Sequence, residues 1–132
     1  MSRDYHCPMC QAALNPDRSV ILLATHDDTR ALIGFHPQPG QYEVFLPPGV
    51  QAEAGSRWSF ACPVCQADLT AEENKDLCQL ELWADGDRSR LLFSRVAGEQ
   101  ATFVMRDEEM EEHGSDALIY GPLLAQMKYI RY

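Results

Sequence analysis

The chain has 132 residues, 45% of them hydrophobic, which suits one domain of ordinary size with a core of its own. Its 11 basic against 20 acidic residues give a formal charge of −9, opposite in sign to what phosphate neutralisation requires, so nucleic acid is not the expected primary partner. No stretch approaches the ~18 apolar residues of a membrane span and no apolar leader precedes the first cysteine pair. The expectation is a cytoplasmic protein without a membrane partner, in which paired cysteines are metal ligands or redox centres rather than structural disulfides.

In chain order the first feature is Cys7-Pro8-Met9-Cys10-Gln11-Ala12-Ala13-Leu14. Residues 20–26 and 30–36, apolar and rich in β-branched side chains, read as a hairpin around Asp27-Asp28-Thr29. After the breakers Pro37-Gln38-Pro39-Gly40, residues 42–46 form a third strand stopped by Pro47-Pro48-Gly49, and 57–61 form a fourth. That strand delivers Cys62-Pro63-Val64-Cys65-Gln66-Ala67-Asp68-Leu69, which agrees with the first motif at six of eight positions. Thr70-Ala71-Glu72-Glu73 matches a capping box, predicting a short helix over 71–76.

An Asp85-Gly86 turn then pairs Leu82 with Ser89, Leu80 with Leu91 and Cys78 with Phe93 on one face. On the other face it sets Trp83 opposite Arg88 and Glu81 opposite Arg90, a cation–aromatic pair and an ion pair. A Gly98-Glu99 turn would place Phe93 opposite Val104 and Leu92 opposite Met105, extending the hairpin to a meander covered on both sides, by the first sheet and by the C-terminus. Residues 107–116 carry six carboxylates and read as a solvated loop or frayed helix, with docking of a basic protein as the sharper reading. Residues 122–130 suit a short helix or a terminal strand.

The expected architecture is therefore mostly β. One zinc-stabilised domain over 1–132 holds two small antiparallel sheets and one or two short helices. The first knuckle and sheet occupy 1–61, the second knuckle, short helix and meander 62–106, and the acidic loop and C-terminal segment 107–132. The repeated motif suggests an internal duplication, although outside the motifs the halves do not align by sequence.

Ligands at i and i+3 need a tight turn that points both sulfurs one way, and proline after the first cysteine fixes φ near the −65° such a turn requires. Gln11 and Gln66 occupy the position where glycine often adopts a left-handed conformation, at a cost of roughly 1–2 kcal/mol each. That is small beside ~10–16 kcal/mol for structural zinc binding. About 50 residues separate the pairs, against ~15–20 in a simple ribbon. The longer loop costs on the order of 1 kcal/mol, so Cys7, Cys10, Cys62 and Cys65 are expected to hold one metal.

Paired CPxC knuckles followed by strands resemble the zinc-ribbon group, and the two-motif layout is similar to CpXC-type proteins. The resemblance implies a zinc-bound, non-enzymatic module that contacts other macromolecules. Rubredoxin-like iron proteins also use two CPxC knuckles, so iron, with electron transfer or thiol redox chemistry at the same cysteines, is the alternative. A thioredoxin-like pair is disfavoured because Asn15-Pro16 stops any helix after the first motif.

The fifth cysteine, Cys78, is expected as a buried small hydrophobe. His6 abuts Cys7 and would either bond a sulfur or stand in solvent, and His26 and His36 are expected in structural or exposed roles. No catalytic residues are recognisable. An enzyme pocket between the sheets, around Trp58, Trp83 or the strand-end histidines, is a third reading with no motif behind it.

Overall fold

A computed structural model describes residues 3–16, 18–72, 74–84, 86–106 and 109–120. Its strands are β1 (Arg3–His6), β2 (Val20–His26), β3 (Thr29–Phe35), β4 (Val44–Phe45), β5 (Ser59–Ala61), β6 (Leu77–Ala84), β7 (Asp87–Ser94), β8 (Thr102–Arg106) and β9 (Glu109–His113). They form two antiparallel sheets, ordered β4-β3-β2-β5 and β1-β6-β7-β8-β9. β1 is a strand that the sequence reading lacked, and it joins the second sheet rather than the first. The 3₁₀ turn Ala117–Ile119 is the helical element among the described residues.

The β2–β3 and β6–β7 hairpins follow the expected pattern, with two-residue connections after His26 and Ala84. The latter brings together Leu82 and Ser89, Leu80 and Leu91, Cys78 and Phe93, and Arg88 lies 4.2 Å from the centre of the Trp83 ring. The expected Glu81–Arg90 register holds. Arg88 also lies 4.0 Å from Glu81, and Arg90 donates to Gln79 at 2.7 Å.

Three local expectations are corrected. First, Phe93 faces Thr102 and Leu92 faces Phe103, two residues from the predicted β7–β8 register. Residues 95–97 turn away to pair with the segment that leads into β5, as Trp58 N–H donates to Arg95 O, Ala97 N–H to Ser56 O and Gly55 N–H to Ala97 O. The hairpin closes through a longer loop, and because the slip is even every side chain keeps its face. Second, described residues within 71–76 form a turn instead of a helix. Thr70 donates both its N–H and its hydroxyl to Asp68 Oδ1 and bridges Cys78, which holds the intended cap in an extended conformation. Third, part of the acidic segment is β9, paired on β8 with Val104 opposite Glu111, so it satisfies β8's outer hydrogen bonds instead of forming a loop. The segment 122–130 lies outside the described residues.

The core forms where alternate side chains meet between the sheets, as strand periodicity requires. Leu22, Ile33 and Phe60 of one sheet and Cys78, Leu80, Leu82 and Leu91 of the other are buried in one cluster with Tyr5 and Trp58. The opposite face of the second sheet buries Leu77, Leu92 and Phe103 under Ala117 and Tyr120.

The backbone reveals a repeat that the sequence conceals. An offset of 55 carries the first knuckle onto the second, and an offset of 58 carries β2, β3 and β4 onto β6, β7 and β8. Bridge His6↔Ala13 recurs as Ala61↔Asp68, and Phe35↔Val44 as Phe93↔Thr102. In the connections before β4 and β8, the bonds His36 N–H to Glu43 O and Gln41 N–H to Gln38 O recur as Ser94 to Ala101 and Glu99 to Val96. The halves also exchange strands. β1 pairs with β6 through Tyr5↔Leu82, and its counterpart β5 pairs with β2 through Phe60↔Ala24, so each half lends the strand before its knuckle to the other half's sheet.

Candidate metal centre

Each knuckle begins where a lent strand ends. Gln11 N–H donates to Cys7 O at 2.9 Å and Gln66 N–H to Cys62 O at 2.8 Å, while Cys7 N–H and Cys62 N–H donate to Ala12 O and Ala67 O. Gln11 and Gln66 have φ of 67° and 62°, the left-handed conformation expected after the second cysteine. Leu14 and Leu69, the last residues of the motifs, are buried and anchor the turns in the core.

These turns aim the sulfurs inward. Cys7 Sγ receives the N–H groups of Met9 at 3.3 Å and Cys10 at 3.4 Å, and Cys62 Sγ receives those of Val64 at 3.3 Å and Cys65 at 3.5 Å. Cys7 and Cys62 are buried, Cys10 and Cys65 exposed, and all five cysteines are free thiols. Across the knuckles Cys7 Sγ lies 3.7 Å from Cys65 Sγ and Cys10 Sγ 3.8 Å from Cys62 Sγ. Those two pairs are counterparts under the repeat. All four sulfurs lie within 4.8 Å of one another.

A tetrahedron of sulfurs ~2.3 Å from zinc has edges of about 3.8 Å. The cross-knuckle separations match it, so the donor set fits a tetrahedral thiolate-bound metal. The four cysteines are placed to hold a metal ion, and their arrangement is compatible with a zinc-ribbon-like knuckle site. Burial pushes the Cys7 thiol up to about 12. Burial acts in the same direction on Cys62, but the N–H groups of Cys65 and Val64 together with the neighbouring Cys10 and Cys7 thiols outweigh it and hold that thiol below its ordinary value. Four thiolates this close repel one another, and a metal removes that repulsion by binding them.

No protein-family model, curated protein or solved structure matches this chain. The site therefore rests on its own geometry.

The histidines stand outside the sulfur cluster. His6 stacks on Trp83 with ring centroids 3.8 Å apart and bonds Gln11 O through Nδ1 at 2.9 Å, bracing the first knuckle without serving as a ligand in this arrangement. His26 stacks on Trp58 and bonds Arg57 O, and His36 Nδ1 accepts the Gln38 N–H. Cys78 is fully buried beside Phe93, and desolvation drives its thiol far up, so it behaves as an inert core residue. Among the described residues no helix is long and apolar enough to cross a membrane.

The sequence reading expected nearby backbone N–H groups to donate to the sulfurs, as those of Met9, Cys10, Val64 and Cys65 do, but did not name which residues supply them. It also missed the positioning role of β1, a polar four-residue segment with a weak strand pattern.

Proposed function

We propose that this protein is a non-enzymatic, zinc-clamped interaction module, with Cys7, Cys10, Cys62 and Cys65 holding one zinc between the two halves. The observation that carries the reading is the tetrahedral spacing of sulfurs drawn equally from both knuckles. Four protein thiolates fill zinc's coordination and leave no position for water or substrate, which makes the metal a structural element. Recognition then falls to the rest of the surface. Glu109, Glu111 and Glu112 point outward from the edge strand β9, and their charge suits a basic protein partner.

Purified protein should contain one zinc per chain and be colourless, and verified metal removal by a chelator should abolish the cooperative thermal transition. A full, unchanged transition in the metal-free protein would overturn the clamp. Visible absorbance that bleaches on reduction would instead support rubredoxin-like iron in the same thiolates. A co-purifying partner should bind more weakly as salt rises and when the three glutamates become glutamine, and indifference to both changes would count against the acidic strand as its contact.

A further inference from the structure

Between the two sheets, away from the cysteines, lies a partly open cavity of about 320 Å³. It sits at the small end of the ~300–1,000 Å³ range of ligand sites and is about twice the ~150 Å³ that admits benzene. Its walls come from corresponding places in the repeat. Phe35 of β3 and Phe93 of β7 are counterparts, their rings 5.5 Å apart, and Phe60 completes an aromatic cluster with centroids 5.4 and 5.6 Å from them. Phe35 and Phe93 are only partly buried although they stand where the two sheets meet. The loops 36–43 and 94–101 both line the space, and each contains a left-handed glycine at the same place, Gly40 and Gly98.

A partly open, largely apolar hollow of this size between two sheets has the concave, apolar character of small-molecule sites. Water fills it poorly, since the lining is mainly apolar and aromatic. Two of the charged groups around it, Arg95 and Glu99, already have partners, while Glu43 is exposed. Arg95 donates to Trp58 O, Lys75 O and Ser59 Oγ, and Glu99 Oε1 accepts from Ser94 and Tyr120. Within the wall the Tyr42 and Thr102 hydroxyls keep spare capacity: they bond each other at 3.0 Å, which uses one of their two donors and leaves acceptor sites over. Thr102 is buried, so its hydroxyl is fixed in the wall.

We propose that this cavity binds an uncharged planar aromatic molecule of one or two rings bearing one hydrogen-bonding substituent. The rings stack among Phe35, Phe60 and Phe93, and the substituent meets the Tyr42–Thr102 hydroxyl pair. An anionic ligand is excluded because it would lose hydration without gaining a free counter-charge, the Arg95 guanidinium being already engaged.

Calorimetric titration of the intact metal-bound protein with 2-naphthol tests this. Saturable one-to-one binding is expected, weakened at least tenfold for naphthalene-2-sulfonate and at least fivefold for 2-naphthol with Thr102→Val. Ala52→Leu and Ala97→Leu, which each fill part of the cavity, should separately weaken it tenfold or more. Amide shifts of the unsubstituted protein should concentrate at residues 36–43 and 93–102, a readout independent of whether any variant folds. No saturable binding, equal binding of the sulfonate, or shifts confined to other surfaces would overturn the proposal.

Discussion

Gln11 and Gln66 show how much local strain the knuckles tolerate. Both hold left-handed φ without being glycine. Relief of ~1–2 kcal/mol on substitution by glycine is partly offset by ~0.5–1 kcal/mol of extra backbone entropy lost on folding. Gln11→Gly and Gln66→Gly should each stabilise the metal-bound protein by up to about 1 kcal/mol, visible as a raised midpoint in urea unfolding. Gly114 is the opposite case, with φ +100° and an added Cβ only 2.0 Å from Gln100 O. Gly114→Ala has to displace backbone that is itself bonded to Asp116, and should destabilise by about 2–4 kcal/mol in the same assay. Burial also creates a pH limit. The Tyr5 hydroxyl, bonded to Pro37 O, is raised from 10.0 to about 12, so its folded state retains the proton longer than its unfolded state. That contribution is complete below pH 10.0 and is lost as pH rises towards 12, and denaturant midpoints should fall across this window.

Among the elements, those with strong period-two patterns and short turns were legible from the sequence, as the β6–β7 hairpin shows: Cys78, Leu80 and Leu82 alternate with polar residues up to a two-residue connection. Elements set by distant partners were not legible. The β7–β8 register depends on residues 95–97 pairing with 55–58, a contact no local pattern encodes, and β9 is a strand because β8 offers an open edge. Thr70 matched a helix cap in the sequence, but its N–H and hydroxyl are taken by Asp68 and its backbone bridges Cys78, a partner no local pattern shows. Arg95 stitches this junction, its guanidinium reaching acceptors in β5, the residue before it, and the turn before β6. Arg95→Ala should cost about 2 kcal/mol by leaving carbonyls unpaired. Arg95→Lys should recover little, because an ammonium lacks the planar fork that spans three acceptors. Paired chemical denaturation curves of the two variants measure both effects.

At the scale of the whole molecule, the cysteines were the most legible feature and the exchange of strands the least. The four cysteines that cluster could be named from spacing alone. The repeat around them could not, since beyond the knuckles it survives in backbone pairing and in the burial of counterparts such as Leu22 and Leu80 or Ile33 and Leu91, rather than in identical residues. Exchange would give a metal leverage: each knuckle hangs from a strand held in the other half's sheet, so a metal bound to both would close a loop through each sheet and resist separation of the halves. Loss of a ligand from either knuckle should therefore loosen both sheets together. Native mass spectrometry of the zinc-loaded protein beside Cys10→Ser and Cys65→Ser tests the central claim most directly. The account predicts one zinc per chain in the unsubstituted protein and a comparable loss of zinc retention from either substitution. Two metals per chain, or a substitution in one knuckle that leaves zinc retention unchanged, would contradict a single centre shared by both halves.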